Sequence, residues 1–242
     1  MFRSLLSRLS TPLERFLTLV VVTVIVGISA GLLLPQVSDT VGGITGEHTA
    51  TGNAAQTLRS LEVVDHPRPQ SVYQRSSFGY REYDADGNGC DVRNDVLARD
   101  LSNVTYKNAE RCKVNSGVLQ DPYTGKTIQF HRGATTSSAV QIDHVVALND
   151  AWRSGASQWD RQKRLAFGND PYNLLAVDGP SNEDKGDANA ANWLPPNADF
   201  ACAYVARQIG VKARYGLSVT SLEKQAMLKT LHTCSGQSIP EN

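Results

Sequence analysis

Asp143 and His144 stand side by side after the alternating run Ala139-Val140-Gln141-Ile142. Two further polar groups follow, Asn173 ahead of Leu174-Leu175, and Asn182-Glu183-Asp184-Lys185-Gly186. An imidazole can take a proton from water. A hard oxygen donor such as Asp143 can hold a divalent cation that offsets charge on phosphorane oxygens and on a leaving alkoxide. These residue types therefore suit hydrolysis of a phosphodiester. Neighbouring side chains on a regular strand diverge, so Asp143 and His144 can serve one site only where the strand bends at its end. A nucleophilic serine or cysteine mechanism is the weaker reading, because the cysteines read as structural.

The elements that must position these groups are legible in outline. Residues 95–101 carry apolar side chains at helical spacing. Gly117-Val118-Leu119, a turn at Asp121-Pro122-Tyr123-Thr124-Gly125, and Thr127-Ile128-Gln129-Phe130 predict a β-hairpin. Residues 139–142 predict a strand that delivers Asp143-His144 at its end. Residues 148–167 read as helical with a break near Ser154-Gly155, and Trp152 and Trp159 fall on its apolar pattern as core residues. Asn173 to Val177 predicts a short strand, and Asn182 to Asn189 the opening of a helix. Amphipathic helices are expected over 198–209 and 221–231, the second with cap-like chemistry at Ser221-Leu222-Glu223. The order is that of a mixed α+β domain.

Asp-His at a strand end, Asn on a following strand and Asn-x-x-Lys at a helix start resemble the HNH endonucleases of the ββα-metal superfamily. More closely, the chain resembles a bacterial exported HNH subfamily. The matching text includes Ile142 to Leu148, Asp150-Ala151-Trp152, Asn169-Asp170-Pro171, Asn173-Leu174-Leu175, Lys185-Gly186-Asp187 and Trp193-Leu194-Pro195-Pro196. Asp121 to Gly125 upstream and Cys202-x-Tyr204-Val205 downstream belong to it too. The resemblance implies a ββα-metal core with additional helices and an endonuclease of low sequence specificity acting on DNA, with RNA also open. It implies His144 as general base, Asp143 and Asn182 as metal ligands, and Asn173 as the residue that holds the loop bearing His144. Lys185 would meet a substrate phosphate or the leaving oxygen. Asn in place of a final His ligand favours Mg²⁺ or Mn²⁺ over a softer metal.

Phe16 to Leu34 is an apolar run without charged residues, preceded by Arg3, Arg8 and Arg15 and ended by Pro35. It predicts a transmembrane signal-anchor or a cleaved signal peptide, and either places the rest of the chain outside the cytoplasm. The expected organisation is a basic N-terminus over 1–15, the apolar helix over 16–34, a flexible linker over 35–69 and an exported domain over 70–242. Formal net charge is zero, which argues against a dominating basic surface, so nucleic-acid binding would depend on a local groove or a bound cation. No obligate protein partner is inferable, and the membrane is a partner only if the apolar run is retained.

Cys90, Cys112, Cys202 and Cys234 lack Cys-x-x-Cys spacing, so two disulfides are expected in an oxidising compartment. Of three connectivities the sequence-local pairs Cys90–Cys112 and Cys202–Cys234 are favoured. Asp84, Asp86, Asn88 and Asp95 fall at EF-hand-like positions for a structural Ca²⁺. Asp replaces the bidentate Glu at the last position and no entering helix precedes the loop, so a polar turn beside a disulfide is the preferred reading. A non-catalytic, Ca²⁺-stabilised binding domain on an HNH-like scaffold is the alternative function.

Overall fold

A computed structural model describes residues 11–37, 50–80, 84, 86–107, 109 and 111–241. The chain divides into two compact units, Met1–Thr49 and Ala50–Asn242. In the first, Pro12–Val37 forms helix α1, with Phe16, Leu17, Ile25 and Val26 among its exposed apolar side chains. Among the described residues, no helix is long and apolar enough to cross a membrane. The side chains of Leu32, Leu33 and Leu34, which complete the expected span, lie outside the described residues, as does most of the basic N-terminus.

The second unit begins earlier than the expected domain start at residue 70. Asn53–Ser60 forms helix α2, which buries Ala54, Ala55 and Leu58 completely. They pack with Tyr204, Val205, Ile209, Met227 and Leu231, and Val63 pairs with Val219. The expected linker over 35–69 is therefore corrected for its second half. The helix is too short and too polar in its surroundings to announce itself, and its apolar partners lie far along the chain.

Asp91 caps helix α3 (Val92–Asp100) by accepting from the Asn94 N–H, and the chain passes directly into β1 (Leu101–Tyr106). This strand was not expected. It joins the expected hairpin of β2 (Val114–Gln120) and β3 (Thr127–His131) in an antiparallel sheet of order β1-β2-β3. A second antiparallel sheet pairs β4 (Val140–His144) with β5 (Leu174–Asp178), setting Asp143 opposite Leu175 and His144 opposite Leu174. Val92, Val96 and Leu97 of α3 fill the space between the sheets with Phe130, Val140, Ile142 and Leu174.

Between β4 and β5 run α4 (Leu148–Arg153), a 3₁₀ turn over Ala156–Gln158 and α5 (Arg161–Gly168). The break at Ser154-Gly155 lies where expected, with Gly155 at positive φ. After β5 comes α6 (Gly179–Lys185), so the site-bearing segment reads strand, strand, helix. Helix α6 starts three residues before the expected opening at Asn182, because Asp178 caps it by accepting from the Ser181 N–H and Pro180 fits its first turn. Two longer helices complete the unit, α7 (Ala198–Tyr215) and α8 (Ser221–His232), the latter opened by a Thr220–Glu223 capping box. Both favoured disulfides are formed. Cys90–Cys112 ties the approach to α3 to the approach to β2, and Cys202–Cys234 ties α7 to the end of α8.

Candidate active site

His144 ends β4 and is 5% exposed, as is Asp143. The His144 ring nitrogen Nε2 lies 2.8 Å from the carbonyl oxygen of Gly168. A carbonyl can only accept, so Nε2 carries the proton and Nδ1 carries the lone pair. Burial pushes the imidazole down to about 3 against the raising effect of that hydrogen bond, with smaller lowering from Arg75 and Lys185. The ring is therefore neutral near pH 7. Gly168 suits its place because a Cβ there would come 2.6 Å from the Phe78 carbonyl oxygen.

The bend that two adjacent functional side chains require is held by Asn173, which is fully buried. Its Oδ1 accepts from the Val146 N–H at 2.8 Å and its Nδ2 donates to the Val146 carbonyl at 3.2 Å. Its own carbonyl accepts from the Val145 N–H at 2.8 Å. One asparagine thus serves the backbone polar groups that leave the strand ladder just after His144.

Asp143 is enclosed by two donors. The Lys185 ammonium donates to Oδ1 at 2.9 Å and the Tyr123 hydroxyl to Oδ2 at 2.5 Å. Burial raises its carboxyl above the ordinary range, opposed mainly by the Lys185 charge. Lys185 is not placed as expected. It is 1% exposed and also donates to the His144 carbonyl at 3.0 Å, so its ammonium points to Asp143 and away from solvent. The last turn of α6 lies against β4, where a carboxylate and an unpaired carbonyl replace the water the ammonium loses.

Asn182 sits within α6, where its Nδ2 donates to Gln141 Oε1 at 2.8 Å. Gln141 in turn donates to Glu183 at 2.8 Å. Asp143, His144 and Asn182 line one cleft of about 370 Å³ with Tyr73, Arg75, Glu183 and Asp187. Among the described residues no three His, Cys, Asp or Glu side chains converge as metal ligands. Asp143 and Asn182 line the same cleft and offer it a carboxylate and an amide oxygen, both hard donors. That fits Mg²⁺ or Mn²⁺, which keep several waters, and does not fit a zinc centre. The two hydrogen bonds on Asp143 leave lone pairs on a carboxylate that has about four acceptor sites.

The Asp84–Asp95 loop lies apart from this cleft. Asp84 accepts from the Gly87 and Gly89 N–H groups at 2.8 Å, and the Asn88 amide donates to Asp86 and Asp95 at 2.9 and 3.1 Å. The polar side chains thus close a turn on themselves, beside Cys90.

Two residues of the site escaped the sequence. Tyr123, fully buried in the β2–β3 turn, packs against Trp193 and Tyr204 at 5.0 and 5.7 Å between ring centres and reaches Asp143 from the core. Its signal was an aromatic residue in the middle of an otherwise polar turn. Arg75, in a short 3₁₀ turn, carried no signal at all.

A family model described as the C-terminal domain of GmrSD restriction endonucleases matches residues 91–230. A protein of Arthroderma benhamiae described as an uncharacterized secreted protein is 39% identical over 186 residues, covering 76% of this chain and 86% of that one. No solved structure matches. The matched span contains the β4-β5-α6 segment with Asp143, His144, Asn173, Asn182 and Lys185, and the chain belongs to the family of GmrSD restriction endonuclease C-terminal domains.

Proposed function

We propose that this protein is a divalent-metal-dependent endonuclease that hydrolyses phosphodiester bonds of DNA, with low sequence specificity and outside the cytoplasm; RNA cleavage is an outcome of the test below. The observation that carries the reading is the neutral His144, its Nε2–H engaged by Gly168, in the same cleft as Asp143 and Asn182. Family membership agrees with nuclease chemistry. The two disulfides and the secreted relative agree with an oxidising location.

His144 Nδ1 takes a proton from a water molecule whose oxygen attacks phosphorus, the negative charge of the bound phosphate restoring basicity that burial lowers. The bond from phosphorus to the leaving oxygen breaks, and solvent protonates that oxygen. Asn173 keeps the imidazole in register by fixing the backbone after it, and Tyr123 and Lys185 hold the Asp143 carboxylate in one orientation. Asp143 and Asn182 would hold the divalent cation, which when bound neutralises charge on the phosphoryl and leaving oxygens. Lys185 pairs with Asp143 and Arg153 with Asp187, so the carboxylates around the cleft are largely balanced and do not bar a polyanion. Contacts through a bound cation address the phosphate backbone and carry no base readout.

The test is plasmid and RNA cleavage by the full chain with Mg²⁺ or Mn²⁺, with EDTA, and with His144→Ala. The expected result is cleavage that EDTA abolishes and that His144→Ala lowers by about 10²–10⁴-fold. Absence of cleavage by the folded, disulfide-intact protein on both polymers with either metal would reject the reading.

A further inference from the structure

Arg75 opens the 3₁₀ turn Arg75–Phe78, which Gly79 closes in a left-handed conformation. Phe78 is fully buried, with ring centres 6.0 Å from Trp152 and 5.8 Å from Phe167. The Trp152 indole N–H donates to the Ser71 carbonyl at 2.9 Å, tying down the approach to the turn. The backbone of Phe78 touches Gly168, whose carbonyl holds His144. The packing that orients the imidazole therefore also fixes the turn that carries Arg75.

The Arg75 side chain is exposed and lines the cleft beside Asp143 and His144. Among the described residues it is the only lysine or arginine in that lining, because Lys185 is buried against Asp143. Its charge is felt by both neighbours, lowering the Asp143 carboxyl and the His144 imidazole. A guanidinium offers a planar pair of donors matched to two phosphate oxygens. Every other charged side chain in the lining is a carboxylate.

We propose that Arg75 is the phosphate-binding residue of this cleft, gripping non-bridging oxygens of the substrate strand in the place that Lys185 cannot reach. The proposal rests on the nuclease reading and extends it to a residue outside the matched span of 91–230. Positioned through Phe78 and Gly168, Arg75 sets the phosphate against the His144 side of the cleft.

The experiment uses the full chain carrying His144→Ala, so that substrate survives, with a fluorescein-labelled DNA duplex at fixed low Mg²⁺ over a KCl series. Adding Arg75→Ala should weaken binding about tenfold at 100 mM KCl and reduce the slope of log Kd against log salt by about 0.9, the loss of one phosphate contact. Arg75→Lys, which keeps the charge, should keep the slope, and Lys126→Ala on the exposed β2–β3 turn should change neither. With His144 intact, Arg75→Ala should raise KM more than it lowers kcat. Thermal melts of both Arg75 variants establish folding. Affinity and slope unchanged by Arg75→Ala, in a chain that cleaves, would overturn the assignment alone. A wild-type chain that neither binds nor cleaves DNA or RNA would overturn the nuclease reading and this assignment with it.

Discussion

Lys185 and Lys212 are both buried ammonium groups paired with carboxylates, yet they sit in opposite kinds of place. Lys212 lies 3.0 Å from Asp150 and 2.8 Å from Glu223, and donates to the Ser218 carbonyl at 3.2 Å. It links α4, α7 and the start of α8 in a sealed position. Burial works against its charge, but Asp150 and Glu223 outweigh that and hold it above its ordinary value. Lys185 has a single carboxylate partner, Asp143, and that partner also lines an open cleft. Two anions around one cation in a closed space make a structural clamp. One anion shared between a buried cation and an open cleft keeps acceptor capacity for a ligand.

Removing each ammonium should separate these roles. Lys212→Met removes the cation between Asp150 and Glu223, leaving Asp150 only the Arg153 guanidinium at 3.8 Å, and unfolding by urea should show a loss of about 3–5 kcal/mol. Cleavage per folded molecule should be unchanged. Lys185→Met should cost less, about 1.5–3 kcal/mol, because Asp143 keeps the Tyr123 hydroxyl and a path to water, but it should shift the metal concentration at half-maximal cleavage. Equal stability losses with no change in metal dependence would erase the distinction.

Acid should act on the cleft side through His144. Its folded value of about 3 lies below the unfolded 6.5, so the unfolded chain binds the extra proton and stability falls as pH drops through that window. At pH 5 the contribution is about 2 kcal/mol, at 1.36 kcal/mol per unit. Asp143, raised by burial, acts in the opposite direction. Comparing the wild type with His144→Gln isolates the histidine, and the wild type should lose stability relative to the variant between pH 7 and 4. Parallel pH profiles would show that His144 is not buried neutral.

The smallest expected effect is that of Tyr123→Phe, which removes one hydroxyl from the Asp143 carboxylate. A loss of about 1 kcal/mol in a urea or thermal melt is expected. Metal-dependent cleavage should fall with it, because the carboxylate is then held by Lys185 alone. A variant as stable and as active as the wild type would remove Tyr123 from the site.

Much of the scaffold was legible because its signals are local. The strand before Asp143, the hairpin with strands expected at 117–119 and 127–130, the helices expected over 198–209 and 221–231 and the break at Gly155 follow from periodicity, caps and turn residues close in sequence, although the first of these helices runs on to Tyr215. Helix α2 was not legible, since its apolar partners lie far along the chain, and strand β1 was not, since register shifts between Ser102 and Tyr106 break its alternation. Within the site, Asp143, His144 and Asn182 line one cleft. Arg75 was invisible because a solvated arginine and a cleft arginine look identical in a sequence.

The sequence by itself determined which chemical groups are available: an Asp-His pair after an alternating run, two asparagines and a lysine in a fixed order, and four cysteines without Cys-x-x-Cys spacing. Only the tertiary structure decided which atoms those groups turn toward one another. It put the Lys185 ammonium against Asp143 and not in the cleft, set the His144 tautomer through Gly168, and carried Tyr123 and Arg75 to the site from distant segments. The reason is that a buried charge or imidazole must replace its lost water with particular donors and acceptors, and packing between remote elements dictates where those stand.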